Sequence, residues 1–539
     1  MFVSPDYRVQ LDDPNPVSTT PQLEAVFVGA APFNPPTAAV LQSTATRTAT
    51  AAAFQLGFAL PPDGSLNGLP LAFSNTAAFA AAFPGDTSWL AHAVKDYFNA
   101  GGLRAWVVRI DSGTTPLLDA IAVGGVGIAM QVPAAGLVLV PDLEALCLAS
   151  VPPPPPLPAP PPLAPAFRPF AGAVSPPSPA VSNTLSAPAG LAATAIAPSG
   201  LTLSWTAPTN TGDAEVGGYT VYRDGRIVGT VNGATTRYGD SGLNSNTSYG
   251  YTVVAFDTSL PDALVSAPSA PLAVSTANLV TPNEVLTRVS AILAAQRPDM
   301  LCLFALPVGA DASQSMPKLV TRALDYVGGV SATTPNFPQV QAFAPLLRDA
   351  ATGSISSPSG LIAGTLAASA ESDGVWRSIT GRVLPLGAMP LRRIESNALQ
   401  QLRAGGVAVL RAAAGGAVLD DDILACVDVP GSATRRSAGG RRLMGWLLRN
   451  LQSFGEQLVF ENVLDDGRVE LILYDLFAAL LKRGALNGVQ VTDAVKISRT
   501  TSAEGELRFD IAVAIALAIE RIQLRFVDGE LTTVLGAAA

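Results

Sequence analysis

The 539-residue chain is 48% hydrophobic and only 14% charged, with a positive mean hydropathy, so it is expected to bury much surface in an assembly of three or four domains per chain. Lys+Arg 33 against Asp+Glu 42 leave a net charge of −9 and a pI near 4.8, which argues against nucleic-acid binding. A single histidine excludes histidine triads and multi-histidine metal sites, and Cys147, Cys302 and Cys426, far apart in apolar contexts, are expected as buried free thiols of a reducing cytosol.

Residues 1–21 lack the basic region and apolar core of a secretion signal. Within them Tyr7, Arg8, Val9, Gln10 and Leu11 alternate between flanking prolines. The stretch is either a frayed end or an extended arm that adds a strand to a neighbour's sheet edge. EAVFVG (Glu24 to Gly29) reads as a buried strand, followed by a loop-rich segment to about Ser65. Ser74 is placed to cap a helix over Thr76 to Phe83. Leu90, Val94 and Phe98 share one face of a helix over Trp89 to Asn99, Gly101-Gly102 ends it, and RAWVVRI (Arg104 to Ile110) is a strand. Ala120 to Val140 is uncharged, but its Gly124, Gly125, Gly127, Pro133 and Gly136 predict a buried strand–turn–strand and no membrane span.

The composition breaks after Ser150. Residues 152–179 are roughly half proline, which predicts a semi-rigid polyproline II linker. From Leu185 to Ala277 short β-runs alternate with turns. LSW at Leu203 to Trp205, YTVYRDG at Tyr219 to Gly225 and LNSNTSYGYTVVAFD at Leu243 to Asp257 resemble a fibronectin type III domain. The resemblance implies a core of Trp205 and Tyr222, with Leu243 and Tyr249 at the tyrosine corner. Asp224-Gly225 is a hairpin turn. Such a module is read as a passive spacer, with adhesion the other reading.

Helix and strand signals then alternate again, with a helix over Asn283 to Gln296, a strand over Met300 to Leu306, a helix over Asn397 to Gly405 and a strand over Val407 to Arg411. Asp420-Asp421-Asp422 has no second acidic cluster and reads as a solvated turn or helix N-terminus. The C-terminal block carries the strongest pattern. Leu443, Trp446, Leu447, Leu451 and Phe454 recur at helical spacing, Gly455 is read as the stop, and Leu458 to Phe460 as a short buried strand. A second amphipathic helix runs from Leu471 to Lys482 and stops at Gly484. Apolar strand-like runs follow at Phe509 to Ala518 and Ile522 to Phe526.

Two stretches resemble contractile tail sheath proteins. In the C-terminal block the resemblance lies in an arginine-led helix, then Leu458, Phe460, Glu461 and Asn462 without the family's following proline, then Gly484, Ala485, Leu486 and Gly488, then Glu504, Gly505 and Leu507. Near the N-terminus it lies in Phe79, Phe83, Ala93, Val94, Phe98, Gly101, Gly102, Ala105, Val107, Val108 and Arg109. The resemblance implies an α/β (α+β) sheath core of mixed sheets and helices, with an all-β fibronectin type III-like sandwich inserted. The expected divisions are 1–21 linking arm, 22–150 sheath domain, 151–184 linker, 185–277 inserted module, 278–375 sheath domain continued, 376–522 C-terminal core and 523–539 second arm.

The implied function is that of a non-enzymatic, cofactor-free subunit that stacks as hexameric rings round an inner tube protein and contracts. Baseplate and terminal cap proteins, and sheath paralogues, are the other implied partners. Nucleic acid and direct membrane insertion are not. Tyr7 to Leu11 and Gln523, Leu524, Arg525, Phe526 and Val527 would be the exchanged strands. Arg435, Arg436, Arg441 and Arg442 would seat electrostatically on the tube, the other reading being a solvated loop. Synthesis and assembly in the cytoplasm are expected, with release as an extracellular particle in some systems. The competing reading is a surface adhesion or matrix protein using the fibronectin-like module.

Overall fold

The computed structural model of the chain describes residues 23–30, 40, 42–61, 66–111, 115–149, 184–198, 200–211, 214–245, 247–257, 264–276, 280–310, 314–328, 337–349, 353–427, 436–458, 467–501, 507–516, 523–527 and 530–534. The chain divides into two compact units, Met1–Ala145 with Pro282–Ala539, and Leu146–Thr281.

The first unit is built on an eight-stranded sheet. Its strands are β1 (Glu24–Ala30), β2 (Leu71–Phe73), β3 (Ala105–Ile110), β4 (Ala135–Leu139), β5 (Leu301–Ala305), β6 (Val340–Ala344), β7 (Val407–Ala413) and β8 (Gly416–Leu419), in the spatial order β2-β3-β1-β4-β5-β6-β7-β8. The inner pairings are parallel. Only the edge pairings β2–β3 and β7–β8 are antiparallel. Parallel strands need crossover connections that cover the sheet's faces, so their sequences become continuous apolar runs. Every residue of β4, β5 and β6 is buried accordingly.

The longer helices among the described residues are α1 (Thr44–Gln55), α2 (Thr76–Ala82), α3 (Trp89–Asn99), α4 (Pro141–Ala149), α5 (Pro282–Gln296), α6 (Met316–Tyr326), α7 (Ser359–Ser372), α8 (Ser396–Ala404), α9 (Ala438–Leu458) and α10 (Arg468–Lys482). Helix α3 begins where expected and buries Leu90 and Val94, with Ser88 accepting from the Ala91 N–H. α7 lies directly on α3, because Gly360 and Gly364 let the backbones touch. A methyl group at Gly364 would stand 2.2 Å from the Tyr97 carbonyl oxygen, and one at Gly360 2.4 Å from that of Ala93. Gly364→Val is therefore expected to force the helices apart and cost about 2 kcal/mol or more by overpacking. A urea midpoint equal to that of the parent would refute this contact.

Several local expectations are corrected. The segment before Ser65 contains α1, whose Ser43 cap accepts from the Thr46 N–H and whose small Ala49 and Ala53 pack into the core. Asn75, one residue after Ser74, caps α2 by accepting from the Ala78 N–H at 2.8 Å. The uncharged run from Ala120 opens as helix, not strand. Leu117–Asp119, a π-helical turn Ala120–Gly125 and Val126–Ala129 are continuous, because Ile121, Ala122, Val126 and Ala129 bury one side. Only its end, β4, is a strand. Gly455 stays inside α9, which runs to Leu458, so Leu458 does not begin a strand; Val459 and Phe460 lie outside the described residues. The amphipathic pattern outlasts the glycine, and an exposed helical glycine costs only about 1 kcal/mol. Gly484, by contrast, takes φ +75 and ends α10 as expected.

The C-terminal part of this unit adds two hairpins. β9 (Val495–Thr501) pairs antiparallel with β10 (Leu507–Val513), and β11 (Gln523–Val527) with β12 (Glu530–Val534). Ile497, Phe509, Ile511 and Val513 place one face of the β9–β10 ribbon on the core.

The second unit is a β-sandwich. One sheet holds Gly218–Arg223, Arg226–Asn232, Ser248–Asp257, Leu264–Val265 and Leu272–Ser275; the other holds Ala189–Ala197, Gly200–Thr206 and Arg237–Ser241. Trp205 is buried, edge-on to Tyr219 at 5.2 Å. Leu243 is buried, and the Tyr249 hydroxyl accepts from the Asn244 N–H at 2.9 Å, the bond of a tyrosine corner. Tyr222 does not belong to the core. Strand alternation turns Tyr219 and Val221 inward and leaves Tyr222 half-buried on the other face. Asp224 and Gly225 both adopt positive φ, as a tight hairpin turn requires. Asp240 joins the two sheets, receiving both a double hydrogen bond from Arg223 (3.0 and 2.9 Å) and the Tyr251 hydroxyl (2.6 Å).

Candidate assembly surfaces

The arginine group does not form one exposed patch. Arg442 is fully buried on α9. Its guanidinium donates to Asp422 at 2.7 and 3.0 Å, to the Val375 carbonyl at 2.9 Å and to that of Arg377 at 3.1 Å. Arg436 is also buried, donating to the carbonyls of Cys426 and Arg403. These two cannot seat a tube, because their donors are consumed inside the fold. Arg441 is half-buried, donates to the Pro298 carbonyl, and is shifted down by burial. Arg435 lies outside the described residues.

The aspartate run is not a solvated turn either. Asp420 pairs with Arg411 (2.5 Å), Asp421 with Arg403 (3.1 Å) and Asp422 with Arg442, while Gln341 donates to Asp422 at 2.9 Å. Each acid thus fastens a different segment. The same logic operates at Asp299, which receives Arg297 at 2.8 Å and Arg449 at 3.1 Å. Those charges hold it below the usual carboxylate range against the opposing effect of burial. Arg297 also donates to the carbonyls of Met130, Val132 and Ala135, so it clips the loop before β4 to the end of α5.

Two acids on α4 were not singled out in the sequence. Asp142 accepts from the N–H groups of Ala30 (2.8 Å) and Leu90 (3.0 Å), tying the end of β1 to the start of α3. Burial pushes its carboxyl up, while those bonds and Arg109 pull the other way. Glu144 accepts from the Ala305 N–H (2.8 Å) and the Ser359 hydroxyl (3.2 Å). Full burial pushes it up to about 7, opposed by the hydroxyls of Ser357 and Ser359 and the Ala305 N–H. Arg109, brought down to about 10 by burial, ion-pairs with Asp86 and stacks 4.4 Å over Phe83. The available signal was two acids directly after an apolar strand. These groups anchor elements. Among the described residues no His/Cys/Asp/Glu group is placed to hold a metal ion. The three cysteines are buried and, among the described residues, in no disulfide, and His92 lies exposed on α3 with Nδ1 2.9 Å from the Ser88 carbonyl.

The expected exchanged strands divide. Tyr7, Arg8, Val9, Gln10 and Leu11 lie outside the described residues. Gln523, Leu524, Arg525, Phe526 and Val527 form β11, paired with β12 of the same chain. Among the described residues no helix is long and apolar enough to cross a membrane.

Residues 186–271 match the family model of the fibronectin type III domain. Curated relatives include exoglucanase B of Cellulomonas fimi, 42% identical over 120 residues (20% of this chain, 11% of the relative), and the poly(3-hydroxybutyrate) depolymerase of Ralstonia pickettii, 43% identical over 96 residues (18% of each). This chain therefore spans a small fraction of those proteins, and the matches are confined to the fibronectin type III region. Solved structures match the whole length. The PVC sheath complex of an extracellular contractile injection system, in its contracted state, aligns at TM-score 0.50 and 11% identity over 98% of this chain and 99% of that one. The contracted helical sheath of the anti-feeding prophage aligns at TM-score 0.50 and 14% identity over 98% of this chain and 100% of that one. The chain thus has the fold of contractile injection system sheath chains along its length, with a fibronectin type III domain at residues 186–271.

Proposed function

We propose that the protein is a structural sheath subunit of a contractile injection system. In this reading it polymerises as stacked hexameric rings round an inner tube and contracts to drive the tube through a target envelope. The observation that carries the reading is the end-to-end fold correspondence with two sheaths in the contracted state. The interior supports it. Buried charged groups are used as fasteners between segments, which suits a subunit that moves as a rigid body between two packings. The work comes from repacking between discrete interfaces, with no cofactor or catalytic step. The partners would be further copies, sheath paralogues, the tube, a baseplate and a terminal cap, after assembly in the cytoplasm and, in an extracellular system, release. Residues 1–21 and 523–539 are proposed as linking arms, and Arg435 with Arg441 as the remaining candidates for tube contact. The fibronectin type III domain is a surface module carried by the subunit. Its likeness to regions of an exoglucanase and a poly(3-hydroxybutyrate) depolymerase is the one observation favouring adhesion as the second reading.

Negative-stain electron microscopy of the chain expressed with its tube partner tests this. Striated rods or short hollow cylinders are expected, and deletion of residues 1–21 is expected to abolish long cylinders while leaving the melting transition unchanged. Monodisperse single particles in the presence of the tube protein would overturn the reading in favour of adhesion.

A further inference from the structure

The dipeptide Asn-Gly occurs three times in the chain, at Asn67-Gly68, Asn232-Gly233 and Asn487-Gly488. In each, the glycine nitrogen follows a side-chain amide that it can attack, because glycine sets no Cβ in the way. The fold restrains two of the three. The Gly68 N–H donates to the Arg109 carbonyl at 2.7 Å, and both residues of that step are half-buried. The Gly233 N–H donates to the Gly217 carbonyl at 3.0 Å, and the Asn232 Oδ1 accepts from the Thr235 hydroxyl at 2.7 Å. A Cβ at Gly233 would stand 1.8 Å from the Val216 carbonyl oxygen, so its backbone has no room to turn. The third step carries neither restraint. Asn487, Gly488, Val489 and Gln490 are all exposed, Val489 to 91%. Among the described residues, neither the Gly488 N–H nor the Asn487 side-chain amide makes a hydrogen bond. The parts on either side are fastened. The Asn487 N–H donates to the Ala514 carbonyl at 2.9 Å, and the Ala514 N–H donates to the Ala494 carbonyl at 2.8 Å. Gln490 and Asp493 form a capping box at the helical turn Val491–Ala494, with the Gln490 N–H donating to the Asp493 Oδ2 at 3.0 Å. Residues 487–494 therefore form a loop whose two ends are held by the one residue Ala514, and only Gly488 and Val489 join its fixed parts.

We propose that Asn487 is a spontaneous deamidation site of the folded chain, and that its conversion to isoaspartate loosens the hold of residues 487–494 on Ala514. The Gly488 nitrogen attacks the Asn487 side-chain carbonyl carbon. A carbon–nitrogen bond forms, the bond from Cγ to Nδ2 breaks, and ammonia leaves with the proton of the Gly488 nitrogen. Water then adds to the succinimide. Opening one imide bond gives aspartate, and opening the other gives isoaspartate, whose main chain is one atom longer. The two-residue bridge has no slack to absorb that atom, since both of its ends are pinned. Strain therefore falls on the Ala514 bonds. Ala514 lies between β10 and β11, so the change acts at the root of the C-terminal segment.

The test ages the full chain in mildly alkaline buffer and follows all three steps by peptide mapping and mass spectrometry, beside the same chain held unfolded in urea. In the folded chain Asn487 is expected to deamidate about ten-fold faster than Asn67 or Asn232, and in urea the three are expected to react at similar rates, because only the fold distinguishes them. Equal rates in the folded chain would overturn the site. So would an Asn487 that stays intact there while reacting in urea. Hydrogen exchange of peptides spanning Ile511 to Ala516 then reads the effect. Exchange is expected to be about ten-fold faster at the Ala514 amide in the aged parent. It is expected to be unchanged in aged Asn487→Gln and in fresh Asn487→Asp, which adds the charge without the extra backbone atom. Asn487 is exposed, so both variants are expected to fold as the parent does. Unchanged exchange in a parent rich in isoaspartate, or equally fast exchange in Asn487→Asp, would overturn the loosening.

Discussion

Replacing Arg442 by methionine is expected to lower the unfolding free energy by about 3–5 kcal/mol, the range for removing one partner of a buried ion pair. The side chain is fully buried and makes four hydrogen bonds, two to Asp422 and one each to the Val375 and Arg377 carbonyls. Methionine fills the space of the stem but returns none of those bonds. Asp422 would then stand almost buried with only Gln341 left to face it. The loss is therefore mostly the cost of a stranded carboxylate and not the worth of the pair. Asp422→Asn in the same background should recover part of it, because the stranded charge is gone. Denaturant titration of the three proteins measures this; equal loss in the single and double variants would mean that packing, not charge, explains the effect.

The second large effect concerns pH. Glu144 is held up at about 7 because burial penalises its charged form more than three hydrogen bonds favour it. Asp142 beside it on α4 adds to the rise, and the Cys302 thiol on β5 faces it from the sheet. An acid whose folded pKa is raised binds its proton more tightly in the native state. Its contribution is therefore greatest below about 4.5, the unfolded value, and is lost as the pH climbs through about 7. Asp96, pushed up to about 7 by burial and by Asp349 against His92 and Lys95, acts in the same direction over the same window. Stability is thus expected to fall between pH 5 and pH 8. Glu144→Gln should remove the Glu144 share of that fall and leave that of Asp96. Its amide can accept from Ala305 and donate to the serine hydroxyls with no charge to desolvate. The variant is expected to equal the parent near pH 5 and to exceed it by about 1–3 kcal/mol at pH 8, at roughly 1.4 kcal/mol per pKa unit. Parallel stability–pH curves for the two proteins would refute the assignment.

Periodicity and spacing were enough to read the elements with strong local signals. EAVFVG, the α3 face, Gly101-Gly102 and RAWVVRI emerge in the predicted order as β1, α3 and β3, and Gly484 ends α10. The fibronectin-like segment was legible from Trp205, Leu243 and Tyr249, since a sandwich repeats short alternating strands that need only local turns. Where a segment is apolar on every side, periodicity carries no information. That is why the run from Ala120 reads as strand. The glycine inside α9 reads as a stop because glycine so often ends helices, although the amphipathic pattern continues past it.

The charged residues divide most sharply. Sequence alone placed Arg435, Arg436, Arg441 and Arg442 in one basic cluster. The fold instead turned Arg442 inward to Asp422 and Val375, segments that lie 20 and 67 residues away in the chain, and left Arg441 only half-buried. Likewise Glu144 became a buried anchor only because β5 and the start of α7, 161 and 215 residues away, close over it. What the sequence by itself determined is the helices, strands and turns with strong local signals, and the sheath-like order in which they come. What the tertiary structure decided is which charges meet water and which meet each other. Burial and partner choice depend on contacts distant in sequence, and no local pattern encodes them.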